Sequence, residues 1–228
     1  YNATPQAWLA LADAFWEASM DTGGGGKAIP VIFGIDAVHG QSNIVGATLF
    51  PHNIGLGATR NPELMREIAA ATAAELRATG LDWTFAPTLA VPQDDRWGRT
   101  YEGYSENPEV VASYARPLVE GLQGKVGDDD FLAPTRVIAT AKHFIGDGGT
   151  DKGVDRGVNK ANLSEMLNQH AQGYYGAFAE GAQTVMASYN SWHDVAGNVN
   201  YGKMHGSKAL LTDALKDKMG FDGFVVSD

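Results

Sequence analysis

The 228-residue chain contains no cysteine. That absence removes disulfides, thiolate metal sites and a cysteine nucleophile together. It leaves the compartment open, because cytosolic and exported proteins alike can lack cysteine. Basic residues are scarce: 17 Lys and Arg stand against 27 Asp and Glu, a formal net charge of −10. Such a balance, without clustered Lys and Arg, argues against nucleic-acid binding. No apolar run approaches the roughly 20 residues that a membrane span needs. Charged residues make up only 19% and hydrophobic ones 44%, which excludes a disordered chain and allows a sizeable core. No Gly-Lys-Ser/Thr phosphate loop is present. Gly55-Leu56-Gly57-Ala58-Thr59-Arg60 opens like a dinucleotide fingerprint but lacks the third glycine, and it reads as a strand-to-helix turn. The histidines His39, His52, His143, His170, His193 and His205 form no close pair in sequence, unlike the paired histidines of many metal hydrolases. The acidic Gly127-Asp128-Asp129-Asp130 run has no EF-hand pattern and reads as a solvated loop. No cofactor is implied.

What is present alternates. Short apolar runs at Ile29–Ile35, Asp82–Val91, Arg136–Phe144, Thr184–Tyr189 and Gly223–Asp228 read as strands. Between them, helical spacing covers Ala7–Met20, Pro62–Ala78, Pro108–Gln123, Leu163–Glu180 and Ser207–Met219. Asn61-Pro62-Glu63 and Asn107-Pro108-Glu109 each place a capping side chain before a proline at the first helical position. Asn162 and Glu165 have capping-box spacing. Strands apolar on both faces, joined through helices, predict a mainly parallel sheet covered by helices.

Such a sheet closes into a (β/α)₈ barrel or stays open. Asp36, Lys142 with His143, Tyr189 and Asp228 each fall at the carboxyl end of a different strand. Barrel enzymes build their sites there, whereas an open sheet concentrates its site in one crevice. The prediction is therefore an α/β, (β/α)₈ TIM-type barrel. Barrels take about 250 residues, and the strands found here fall short of eight, so the barrel is expected to be truncated before its last strands. The start at Tyr1 and the end on an apolar strand at Asp228 fit an internal piece of a longer protein.

Individually, each polar residue has an ordinary reading. Asp36 serves as a cap or turn residue as readily as a ligand; Arg99 pairs with Glu102 within its loop; Met186 fills core. Lys142 would suit a Schiff base, but its neighbour His143 and the surrounding carboxylates suit a polyhydroxylated ligand better. Carboxylates bridge vicinal hydroxyls, cations donate to sugar oxygens, and aromatic rings stack on the apolar sugar face.

Five segments together carry a resemblance. They are Gly34-Ile35-Asp36-Ala37-Val38-His39-Gly40, Arg96-Trp97-Gly98-Arg99-Thr100-Tyr101-Glu102, and Lys142-His143-Phe144 with Gly146-Asp147-Gly148-Gly149. The last two are Met186-Ala187-Ser188-Tyr189-Asn190 and Gly223-Phe224-Val225-Val226-Ser227-Asp228. In this order they resemble glycoside hydrolase family 3, from about Ile29 to the last residue, with Lys203-Met204-His205-Gly206 resembling its β-glucosidase and exo-β-glucan glucohydrolase branch.

The resemblance implies residues 1–228 as an incomplete N-terminal catalytic barrel, with a second α/β-sandwich domain of the parent chain lying outside it. It implies a retaining, exo-acting β-glucosidase acting on β-glucosides, cello-oligosaccharides or β-glucans through a covalent glucosyl-aspartate intermediate. Asp228 matches the nucleophile. Asp36, Arg99, Lys142 and His143 match residues that hold the glucosyl unit, and Met186 and Tyr189 match positions beside the nucleophile. The acid/base would be a glutamate of the second domain, so none lies in this segment, which is expected to be inactive alone. The alternatives are a β-xylosidase or β-N-acetylhexosaminidase of the same family, or a non-catalytic carbohydrate-binding barrel. The hexosaminidase branch carries a histidine in the loop after Lys-His, and Gly149-Thr150-Asp151-Lys152-Gly153 has none. Family habit favours a periplasmic or secreted location.

Overall fold

The computed structural model describes residues 3–228. Helix α1 (Pro5–Met20) leads to strand β1 (Gly34–Ile35), and α2 (Asn53–Ala58) and α3 (Pro62–Arg77) lead to β2 (Trp83–Thr84). Helix α4 (Pro108–Gln123) leads to β3 (Thr140–Phe144). After β4 (Val158–Asn159), a helical stretch made of α5 (Leu163–Glu165), a π-helical turn (Met166–His170) and α6 (Gln172–Ala179) leads to β5 (Thr184–Ala187). The hairpin β6 (Ser191–Asp194) and β7 (Val199–Lys203) follows, then a π-helix (Ala209–Lys218) and β8 (Phe224–Ser227).

The expected helix starts are realised. Asn61 accepts from the Leu64 amide, Asn107 from the Glu109 amide, and Asn162 with Glu165 forms a reciprocal capping box. Each satisfies a backbone N–H that the first helical turn leaves unpaired.

Strands β1 and β2 pair in parallel, as do β3 with β5 and β5 with β8. Single bridges from Trp83 to Ile138 and from Thr88 to Lys142 join the two groups. The result is a parallel arc in the order β1-β2-β3-β5-β8, a TIM-barrel-like α/β fold. Every residue of β3 and β5 is buried, as a sheet covered on both faces requires. On the inner face, Trp83 Nε1 donates to Thr140 Oγ1 at 2.7 Å, Thr140 and Thr184 share a 2.6 Å hydrogen bond, and Phe224 packs edge-on to Trp83 at 5.4 Å. These side chains from successive strands make one interior layer. On the outer face, Met65, Ala69, Ala73 and Leu76 of α3 and Val111, Tyr114, Leu118 and Leu122 of α4 belong to the buried core. Gly121 allows these helices to approach: a Cβ there would lie 2.4 Å from the Arg66 carbonyl oxygen.

Several expectations need correction. The Ile29–Ile35 strand shrinks to Gly34–Ile35, with Ile29, Val31 and Ile32 exposed; Pro30 has no N–H for a ladder. The Asp82–Val91 strand is regular only at Trp83–Thr84, and Pro87 again removes a donor. Gly55–Arg60 is not a strand-to-helix turn, because Asn53–Ala58 is itself helical. The hairpin β6–β7, with β4 beside it, forms a second sheet that the strand-helix alternation did not foretell.

Candidate active site

The site gathers at the carboxyl ends of the parallel strands. Asp36 directly follows β1, Lys142 and His143 lie within β3, Met186 lies in β5 with Tyr189 just beyond it, and Asp228 directly follows β8. Arg99 immediately precedes a 3₁₀ turn, Thr100–Glu102, between β2 and α4.

Lys142 is buried, and its Nζ donates to Asp36 Oδ1 at 2.7 Å, while the Asp36 side chain stays 64% exposed. A buried cation thus steadies a carboxylate still open to a ligand. Neighbouring residues of a regular strand face opposite ways. Here the β3–β5 ladder shifts register between Lys142 and Phe144, an irregularity of the kind that re-aims side chains. Lys142 therefore reaches Asp36 while His143 reaches Arg99.

Arg99 is the hub. Its Nε and Nη2 donate to Glu102 Oε1 and Oε2, both at 2.9 Å, in a bidentate pair. Its Nη2 also lies 3.0 Å from His143 Nε2, and its Nη1 lies 3.9 Å from Asp228 Oδ2. Burial works against the guanidinium charge, but the Glu102 hydrogen bonds with the Asp147 and Asp228 charges outweigh it and raise its pKa. The loop pairing with Glu102 and the approach to Asp228 thus hold together rather than as alternatives.

Helix α2 positions the Arg99 loop. Asn53 Nδ2 donates to the Glu102 carbonyl at 2.7 Å, and a Cβ on Gly57 would fall 1.6 Å from the Tyr104 carbonyl oxygen.

His143 Nδ1 lies 2.9 Å from Asp147 Oδ2. The Tyr189 hydroxyl donates to the main-chain oxygen of Asp228. The Tyr189 ring meets His205 edge-on at 5.0 Å and lies 5.5 Å beneath the Arg156 guanidinium. Lys203 Nζ donates at 2.9 Å to the carbonyls of both Arg156 and Tyr189, tying their loops together.

Arg99, His143, Asp147, Asp155, Tyr189 and Asp228 line a narrow cleft whose free volume is only about 10 Å³. Asp36 and Lys142 do not line it; they form an adjoining pair, connected through the Lys142–His143 step. Met186, 4% exposed, lies in the ladder between Lys142 and Val226 and fills core beneath the site. Asp155 and Arg156 also line the cleft but lie outside the five resembling segments, whereas Asp147, Ser188 and Asn190 fall within them without an implied role. Asp147 follows His143 by four positions, beyond a left-handed Gly146 (φ 85°) that turns the chain back. That glycine was the available signal.

His39 and His52, far apart in sequence, do meet, with ring centroids at 4.3 Å. Among the described residues no group of three or more His, Asp or Glu could hold a metal ion, and no helix is long and apolar enough to cross a membrane.

The barrel wall thus brings together, at its strand ends, an open carboxylate, a second carboxylate beside a guanidinium, and a tyrosine. The chain belongs to glycosyl hydrolase family 3: the model of the family's N-terminal domain matches residues 4–228. The chain is 36% identical to a lysosomal β-glucosidase of Dictyostelium discoideum, covering 100% of this chain and 27% of the relative. It is 33% identical to a β-xylosidase of Formosa agariphila, covering 85% of this chain and 26% of that one. The crystal structure of an exo-1,3/1,4-β-glucanase from a Pseudoalteromonas species superposes with a TM-score of 0.93 at 54% identity, over 100% of this chain and 27% of that chain. This chain therefore spans about a quarter of the length of these relatives.

Proposed function

We propose that this chain is the nucleophile-bearing barrel of a retaining, exo-acting β-glucosidase that releases glucose from the non-reducing ends of β-glucosides, cello-oligosaccharides or β-glucans. Asp228 attacks the anomeric carbon, the bond to the leaving oxygen breaks, and that oxygen takes a proton from the acid/base. Water, deprotonated by the same group, then releases glucose from the aspartyl ester. The acid/base belongs to a second, α/β-sandwich domain of the same protein, about 5–5.5 Å from Asp228 in the assembled site. Asp36, Lys142 and Arg99 hold the glucosyl unit, His143 lines the subsite beside Arg99, and Met186 and Tyr189 stand beside the nucleophile.

The observation that carries this reading is the Arg99 guanidinium, fixed by Glu102 and His143 and set 3.9 Å from Asp228. It sets a fixed positive charge beside the position where a nucleophile is needed. The exo-glucanase likeness supports the choice of β-glucan substrates. Family habit supports a periplasmic or secreted location. The β-xylosidase relative favours one second reading, xyloside hydrolysis at the same site; the ratio of kcat/KM for aryl β-glucoside and aryl β-xyloside decides between them.

The test is labelling of the full-length protein with a 2-deoxy-2-fluoro glucoside, followed by peptide mapping. The label is expected on Asp228, and a label elsewhere refutes the assignment. Residues 1–228 alone, lacking the acid/base, are expected to turn over no aryl β-glucoside. Loss of such a group typically costs about 10²–10⁴-fold.

A further inference from the structure

We propose that Asp147 is the positioning residue of the site: it fixes the tautomer of His143 so that His143 braces Arg99 beside Asp228. The inference rests on the glucosidase reading above and names a residue that reading does not use.

The argument is one of donors and acceptors. A guanidinium has only N–H donors, so the 3.0 Å contact between Arg99 Nη2 and His143 Nε2 makes Nε2 the acceptor. The ring proton then sits on Nδ1, which donates to Asp147 Oδ2 at 2.9 Å. The other tautomer would set two donors face to face at Arg99 and leave two acceptors facing each other at Asp147. Asp147 and His143 are both buried, so an unpaired donor or acceptor between them would be costly. The remaining Asp147 oxygen, Oδ1, is buried with no hydrogen-bond partner among the described residues. The bond to His143 is thus the one hydrogen bond that the Asp147 carboxylate makes among the described residues.

Glu102 grips Arg99 through Nε and Nη2, while Nη1 is the nitrogen that approaches Asp228. His143 presses on the Nη2 corner and sets the plane of the guanidinium. The chain Asp147–His143–Arg99–Asp228 thus works as the carboxylate partners of histidine ligands do elsewhere, where such outer residues typically carry about 10–100-fold in affinity or activity.

The test uses the full-length protein carrying Asp147→Asn or Asp147→Ala. Asparagine is isosteric and can still turn its carbonyl oxygen to the Nδ1 proton, whereas alanine leaves that proton without an acceptor. Asp147→Ala is expected to lose about 10–100-fold in kcat with a smaller change in KM, and Asp147→Asn to retain more of the activity. Ring ¹⁵N shifts of His143 in the wild type are expected to show an unprotonated Nε2 and a protonated Nδ1, with that pattern lost in Asp147→Ala. Wild-type shifts showing a protonated Nε2, or an Asp147→Ala enzyme with unchanged kcat, overturn the proposal. The ring shifts do not depend on turnover. Failure of the glucosidase reading would instead appear as absent labelling of Asp228 with this tautomer intact.

Discussion

Arg99 illustrates how much one side chain can organise. Its planar fork contacts Glu102, His143 and Asp228 from a partly buried position. A lysine is a single point charge and cannot make these contacts together. Arg99→Lys in the full-length protein is therefore expected to lower kcat/KM on an aryl β-glucoside by on the order of 10²-fold, a size typical of removing one fixed donor. An unchanged kcat/KM would show that charge alone suffices. Asp36, Lys142, His143 and Asp228 are legible in the sequence because reactive side chains recur at strand ends, whereas Arg99 is legible only through the resemblance of its loop. The sequence did not show that they divide into an Asp36–Lys142 pair and an Arg99-centred cleft. That division depends on a ladder irregularity within β3, which no local pattern announces. Arg156 escaped notice for a related reason: an exposed arginine in a loop is ordinary until a fold sets it over Tyr189.

Helices α3 and α4 were readable to within a residue, because proline and asparagine mark their starts and their apolar faces recur with helical period. Strands were readable as segments but not in length. Pairing needs a neighbour at the right register, and Pro30 and Pro87 break it where hydrophobicity alone continues. The hairpin β6–β7 was missed because its strands are short, and β7 is largely solvent-facing. Helix α2 was missed because two glycines disguise it, and one of them has a structural duty. Gly57 lets α2 lie against Tyr104, and a methyl group there meets a backbone carbonyl that cannot move aside cheaply. Gly57→Ala is expected to destabilise by about 1–3 kcal/mol through overpacking. Because Asn53 of α2 also holds the Glu102 carbonyl, activity should fall with it. Denaturation midpoints and kcat/KM measured on the same preparation check this; an unaltered midpoint would mean that the loop yields freely.

Across the whole molecule, acid sensitivity has an identifiable contributor. His170 is buried, and desolvation lowers its pKa from 6.5 to about 4, against smaller opposing effects of Asp147 and Glu165. The unfolded chain takes up a proton near pH 6.5 that the folded chain refuses until about pH 4. Stability is therefore complete above pH 6.5 and falls as the pH drops through this window, by on the order of 2 kcal/mol at pH 5. His170→Gln, which retains an acceptor for Asn159, should remove most of this difference. Denaturant titrations of the full-length protein at pH 7 and pH 5 measure it, and an equal acid loss in the variant would assign the effect to other groups.

The small sheet of β4, β6 and β7 joins the segment following β3 to the segment following β5, and Lys203 fastens its far end to both Arg156 and Tyr189. Two rims of the Arg99 cleft are thereby riveted into one panel. A change of shape in one rim is therefore expected to carry the other with it.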